Sequence, residues 1–356
     1  MPVPDPKTKP KGRVSLRDIA AAAGVCLMTV SLSLRDNPKI SSATRERVQR
    51  LARELGYHPD PEISRLMKRL RISRTARGTT SLAILDFYPR LDFAELSYHR
   101  HIRQGILARA EELGFAVSQF QAAAYKFNLE HILKLVRNRG IDGLILFPSV
   151  VAPLTLDPAA DWRDLSVVSV TNSILSPRFH CVVPHQFANM MRLIEAMKEH
   201  GRHKIAAVIE ESFDERTAHH FTAAMNWHGH GRRILTVPNA CPAAKRVDLI
   251  ARWIARHDAD LVFAQSPEPV IQALARLRRR KTTAVAALGT PNNDEFSFLN
   301  EHPEVVGAAS VELLAGMMYY HETGIPRHPR MTMIDGELRL DRLVADPGAL
   351  AAAGGA

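Results

Sequence analysis

The chain is short of cysteine and of aromatic residues, and it contains no long apolar run. Its three cysteines, Cys26, Cys181 and Cys241, are far apart and never spaced Cys-x-x-Cys. That spacing argues against a disulfide framework or a structural zinc site. No segment approaches the roughly 20 uninterrupted apolar residues that a membrane helix needs. The opening residues MPVPDPKTKPKGR hold prolines and charges without an apolar run. No secretory signal is therefore expected, and a cytoplasmic location is. The phosphate-cradling patterns GxxxxGK[ST] and GxGxxG after a strand are missing, as is the nucleophile pattern GxSxG. The 16 histidines include His99-Arg100-His101 and His219-His220, which lack a metal-ligand set with acidic partners at helical spacing. They read as exposed side chains, so no metal, no cofactor and no enzymatic activity are expected.

What the chain does have is a concentrated charge. Of its net +10, all falls within residues 1–77, which hold 17 Lys and Arg against 7 Asp and Glu. The remaining residues hold 30 of each sign. A basic module on a neutral body suits a polyanionic partner, because each phosphate neutralised releases a counterion. A solvated basic tail would show the same charge.

The 356 residues suggest two or three domains. Residues 1–13 read as a disordered tail. From Ser15 the pattern turns helical. Ser15 and Asp18 form a capping-box-like start, and Leu16, Ile19, Ala20 and Ala23 make one apolar stripe before Gly24. A second helix spans about Leu27 to Leu34. A third, capped by Ser41 or Ser42, turns Val48, Leu51, Ala52 and Leu55 inward and stops at Gly56. Three short helices, the first two joined by a tight glycine turn, make a helix-turn-helix head over 14–60. Residues 61–78 read as a short helix and linker. Between 79 and 345, strand-like and amphipathic segments alternate. The strand candidates are Ser81–Phe87, Ala116–Phe120, Gly143–Phe147, Ser166–Val170, Ile205–Ile209, Ile234–Val237, Leu261–Ala264 and Thr283–Leu288. Helices are expected at Ala94–Leu113, Leu129–Arg139, Gln186–His200, Arg216–Trp227, Ala243–His257 and Pro269–Arg279. The fold class is then an all-α head plus an α/β body of two doubly wound parallel-sheet lobes, with a break near 180–186. Residues 346–356 read as a second disordered tail.

In the second helix, Leu27, Met28, Ser31, Leu32 and Arg35 share one face, while Val30 and Leu34 lie opposite. An exposed apolar face on so small a domain needs a partner. In a major groove it can touch thymine methyl groups, making Leu27, Met28 and Leu32 base-reading candidates. The alternative is that they are core. Thr29, Ser31, Arg35, Ser41 and Thr44 flank that face and are candidates for phosphate contacts. Ser41 and Thr44 could equally serve only as helix caps.

The stretch from Val14 to Met67 resembles the LacI (lactose-repressor-like) family. The resemblance rests on Val14-Ser15-Leu16-Arg17-Asp18-Ile19-Ala20, Ala23-Gly24-Val25, Thr29-Val30-Ser31, Thr44-Arg45-Glu46-Arg47-Val48 and Glu54-Leu55-Gly56-Tyr57-His58-Pro59-Asp60. Residues 105–115, 140–146 and 200–208 resemble the family more loosely. It implies a periplasmic-binding-protein-like body, a homodimer, a pseudo-palindromic operator in double-stranded DNA, and a small-molecule effector, a sugar or related metabolite, between the lobes. It also makes 61–70 a hinge helix that wedges Leu66 into the minor groove, with Ile63 one turn earlier; a plain linker helix is the alternative. The chain departs from the pattern at Cys26, where the family has Ser, at Leu32, where it has Arg, and at Ile63, where it favours Ala. Position matching gives Tyr98 and His99 at the start of a first-lobe helix and Arg216 at the start of a second-lobe helix as effector contacts. Arg216 could pair with a carboxylate, hydrogen-bond sugar hydroxyls, or simply be a surface arginine. His185 and Ser266 are further candidates. The family's Asp after a late strand is missing from 263–268 and its Val-Asp near the lobe junction has become Val183-Pro184-His185, two departures that weaken the transfer of a sugar-type ligand. The reading is a DNA-binding regulator, in its repressor form; the alternative is a solute-binding protein of a transporter.

Overall fold

The computed structural model describes residues 14, 16–34, 40–57, 80–88, 97–149, 152–277, 283–290 and 298–340. The expected Ser15 cap, Arg35, the hinge segment with Ile63 and Leu66, and both tails lie outside them. The chain divides into two units, residues 1–78 with Tyr319–His321, and residues 79–318 with 322–356.

The head holds α1 (Leu16–Ala23), α2 (Leu27–Ser33) and α3 (Ser42–Glu54). Gly24, at φ +63°, makes the turn between the first two, a conformation that side chains with a Cβ rarely adopt. Ile19, Ala23, Val30, Val48 and Ala52 form the core, with Leu16, Ala20, Leu34 and Leu51 packed against it. Leu55, expected to face inward, is exposed; it is the C-cap of α3, beyond the side chains that build the head's core.

The body begins with β1 (Ser81–Asp86), α4 (Ser97–Glu112), β2 (Ala116–Gln121), α5 (Leu129–Asn138) and β3 (Gly143–Leu146). Next come β4 (Leu154–Thr155), β5 (Ser166–Val170), β6 (Ile174–Ser176), β7 (His180–Pro184) and α6 (Gln186–Glu199). The chain continues through β8 (Ile205–Glu210), α7 (Glu211–Arg216), α8 (His220–Trp227), β9 (Ile234–Val237), α9 (Ala243–Arg256), β10 (Leu261–Ala264) and α10 (Pro267–Arg276). It finishes with β11 (Ala284–Ala287), β12 (Phe298–Asn300), α11 (Pro303–Tyr320), β13 (Met331–Ile334) and β14 (Glu337–Arg339). Six strands make a parallel sheet in the order β13-β7-β5-β3-β1-β2, and four make a second in the order β11-β10-β8-β9. The inner strands of each sheet are buried on both faces, which is why they read as apolar runs rather than alternations. In β1, Leu82 and Ile84 point into one core while Ala83 and Leu85 point into another. In β8, Ile205, Ala207 and Ile209 divide from Ala206 and Val208 in the same way.

Two expectations need correction. The chain passes between the lobes three times, at 184–186, 300–303 and 334–337, instead of once near 180–186: α11 and β13 return to the first lobe, and Leu338 and Leu340 pack in the second. The helix expected over Arg216–Trp227 is two helices. The Thr217 hydroxyl bonds the Phe213 carbonyl at 2.9 Å, and Ala218 and His219 take positive φ, so α7 ends at Arg216 and α8 starts at His220.

The three passages are cross-tied. His185 Nδ1 and Asp335 Oδ1 lie 3.0 Å apart. Asn189 Oδ1 accepts from Gly336 N at 3.0 Å, and β12 pairs antiparallel with β14. Glu301, 5% exposed, lies in the second passage. Burial pushes its carboxyl up to about 7, opposed by a hydrogen bond from Gln186. Nearby, α4 and α11 touch backbone to backbone. A Cβ on Gly105 would sit 2.0 Å from the Glu304 carbonyl oxygen, and one on Gly307 2.1 Å from that of Ile102.

Two outcomes are expected. Gly307→Ala destabilises the body by about 1–3 kcal/mol through overpacking, whereas Gly316→Ala on the same helix, with nothing within 4 Å, stabilises it by up to about 1 kcal/mol. Urea unfolding of the two variants checks the contrast. A carboxyl with a raised folded-state pKa contributes stability that is present at low pH and lost as pH rises through that value. Glu301→Gln therefore gains on the parent by up to about 3 kcal/mol between about pH 5 and about pH 8. Equal gaps at the two pH values would refute this account of Glu301.

Candidate functional site

In the head, α2 is fastened from behind and open in front. Val30 is fully buried, and Gln49 Nε2 donates to the Ser33 carbonyl at 3.0 Å, tying the end of α2 to α3. On the outer face Leu27 is 44% exposed and Met28 69%. These two are not core. Ser31 and Leu32 are half-buried, as is Thr29. Cys26 precedes the helix in an extended conformation; its Sγ lies 3.2 Å from Thr29 Oγ1, and that hydrogen bond lowers the thiol pKa. Ser41 caps α3, accepting from Thr44 N at 3.4 Å and donating to Thr44 Oγ1 at 2.9 Å. Both hydroxyls are thus engaged in capping, with Ser41 exposed. Capping and a phosphate contact remain compatible, since the cap itself gathers N–H groups at a helix start.

In the body, the candidate residues gather beyond the carboxyl ends of the parallel strands, where open α/β sheets bind ligands. Asp86 ends β1. Its Oδ1 accepts from Tyr88 N at 2.8 Å, and its Oδ2 pairs with Arg103 of α4. Arg103 also donates to Gln119 Oε1 at 2.7 Å and lies over the Phe147 ring at 4.4 Å. Tyr88, His99 and Phe147 pack edge to face, with Tyr88 5.7 Å from each of the other two rings, and Tyr98 lies 5.4 Å from His99. Burial, reinforced by the charges of Arg216 and Arg103, pushes His99 down to about 3, so its ring is neutral. Its Nδ1 is buried without a hydrogen-bond partner. Burial raises the Tyr98 hydroxyl well above the usual range.

From the second lobe, Arg216 reaches across. Its Nη1 donates to the Ser149 carbonyl at 3.2 Å, its Nε to the Ser212 carbonyl of its own helix at 3.2 Å, and its guanidinium faces Phe213. Tyr98 and His99 are at the start of α4 as expected; Arg216 is at the end of α7, not the start of a helix. The charge of Arg216 is felt at His99, where it helps lower the ring's pKa. Ser266 caps α10 without a side-chain bond and lines a small hollow with Glu210, Arg246 and Gln265. Glu210 and Arg246 pair at 2.6 Å, and Gln265 Oε1 is buried without a partner. His185 is tied to Asp335 at the first passage, so it braces the hinge.

Sequence reasoning missed Asp86, Tyr88, Arg103, Phe147, Glu210, Arg246 and Gln265. For most the available signal was position alone, at or just after the end of a strand. His219 has an acidic partner that the sequence did not single out: its Nδ1 lies 2.7 Å from Asp214 Oδ2. The acid is five residues away, across the break between α7 and α8, so helical spacing cannot show it. Among the described residues no group of three or more His, Cys, Asp and Glu could hold a metal ion, and no helix is long and apolar enough to cross a membrane.

Residues 15–60 match the model of the bacterial regulatory proteins, lacI family. The chain is 30% identical over 141 residues to the HTH-type transcriptional repressor CytR of Escherichia coli (strain K12), covering 40% of this chain and 38% of that one. It is 31% identical over 157 residues to the HTH-type transcriptional regulator TreR of Salmonella typhimurium, covering 43% and 44%. The matched stretches thus span about two fifths of these relatives. In fold, it resembles the lac repressor dimer bound to operator and the anti-inducer ONPF, with a TM-score of 0.55 and 14% identity, over 94% of this chain and 99% of that one. Residues 15–60 belong to the lacI family of bacterial regulatory proteins, and the body carries the two-lobed, periplasmic-binding-protein-like fold of solved regulators of that family.

Proposed function

We propose that this chain is a transcriptional regulator, a repressor, that binds operator DNA through its head and a small-molecule effector between the lobes of its body. The observation that carries the reading is the lacI-family head whose second helix turns Leu27 and Met28 to solvent while Val30 is buried. In the major groove, Leu27, Met28 and Leu32 meet base edges and thymine methyl groups. Thr29, Ser31, Arg35, Ser41 and Thr44 contact phosphates and hold the register. Ile63 and Leu66 of the following segment enter the minor groove. With Leu32 in place of an arginine, base discrimination comes from apolar contact, and affinity from the basic first 77 residues.

One head reads only a few base pairs, so the chain works as a homodimer on two half-sites about one helical turn apart. The effector, contacted by Arg216, Tyr98 and His99 and flanked by His185 and Ser266, binds the closed and open forms of the lobes unequally and so shifts DNA affinity. Such a regulator works in the cytoplasm and catalyses no reaction.

Selection from random duplexes with the purified chain should return a pseudo-palindrome. Deleting residues 1–77 should leave a folded body that retards none of it; equal retardation by the truncated chain would refute the proposal. Met28→Ala should cost about 1–3 kcal/mol on the selected duplex, the cost of one mismatched base pair. On a scrambled duplex it should cost nothing, since that binding is set by phosphates. Mobility shifts at fixed salt measure both.

A further inference from the structure

Among the described residues three guanidinium groups stand at the cleft, and two of them are paired with carboxylates. Arg103 has Asp86, and Arg246 has Glu210. Arg216 has no carboxylate oxygen within 4.0 Å among the described residues. Its two hydrogen bonds, both 3.2 Å long, go to carbonyl oxygens, one of them across the cleft. A guanidinium offers five N–H donors in a planar fork, so most of its donors are uncommitted. Its burial is unfavourable in proportion: loss of water is the leading influence on its pKa and lowers it, against the pull of Glu210. The neighbouring His99 is neutral and adds no charge. Among the described residues the two ion pairs cancel, and Arg216 is left without a carboxylate at contact distance.

We propose that the ligand of this cleft is a small monocarboxylate, held bidentately by Arg216 with its carbon skeleton against the aromatic ring of Phe213. A carboxylate matches the fork and replaces two long carbonyl bonds with short charge-assisted ones. A sugar hydroxyl can accept from the same donors, but it leaves the charge uncompensated. A phosphate monoester brings close to two negative charges to a site with one positive charge to offer. His99 Nδ1, buried and without a partner, is the complementary site for a hydroxyl on the acid. Only the acid's role as effector rests on the regulator reading; its binding does not.

Matched pairs test this on the full-length chain: D-gluconate with D-glucose, D-galacturonate with D-galactose, L-lactate with propane-1,2-diol, and D-glucose 6-phosphate alone. Calorimetry measures binding, and mobility shifts on the selected duplex measure its consequence. At least one acid should bind about tenfold or more tighter than its neutral partner, and Arg216→Gln should remove that preference. Arg216→Lys, which keeps the charge but not the fork, should keep part of it; if the Gln variant unfolds on heating earlier than the parent, the Lys variant decides. Acids binding no better than their neutral partners, a preference for the phosphate, or an unchanged preference in the Arg216 variants would each overturn the proposal. If acids bind but no duplex is selected, the regulator reading falls and the acid site stands. If a duplex is selected and only neutral compounds release it, the reverse holds.

Discussion

Three backbone passages of three or four residues hold two separate sheets in one body, and the rest of the body's chemistry depends on them. Each sheet is parallel, so all its strands end on one edge, and loops leaving those edges carry the polar residues. The passages fix how closely the two edges approach. Their cross-ties are polar and local: His185 to Asp335, Asn189 to Gly336, β12 to β14. Arg192 adds a bond to the Gly336 carbonyl at 2.8 Å. The Arg216 bond to Ser149 is a lobe-to-lobe contact that exists only while the edges are near.

Among the described residues, the cleft's charges stand in pairs beside Arg216, which has no carboxylate partner. Side chains of Asp86 and Arg103 are 10% and 17% exposed, and removing either partner of so buried a pair leaves the other uncompensated. These pairs act as scaffolding: they orient the Tyr88 backbone and press Arg103 onto Phe147. Arg216 is the exception, held by carbonyls and an aromatic face. A site of this kind is pre-organised where it is neutral and incomplete where it is charged.

Much of the fold was legible because it follows from burial. Strands covered on both faces, such as Ser166–Val170 and Leu261–Ala264, announce themselves as apolar runs, and their bounds were read correctly. The elements that escaped lack that signal. β7 opens on His180 and closes on Pro184, and β13 is a sheet edge with Met331 and Met333 exposed. α11 is apolar around most of its circumference, so it has no stripe to detect. The break between α7 and α8 depends on a hydroxyl bond and two positive φ values that no propensity encodes. The head was read more fully than the cleft for a related reason. Its exposed face is one helix with a fixed period, whereas the cleft assembles Asp86, Phe147 and Gln265 from segments that meet only in three dimensions.

The triple passage also orders events on the ribosome. The head's three helices are complete by Glu54, but the first lobe cannot add its sixth strand until Ile334 has been made, after the whole of the second lobe's sheet. Neither lobe is closed until almost the last described residue has emerged. A nascent chain therefore carries a finished head for most of its translation while both lobes are still open, and the edge of β7 stays unpaired for that interval.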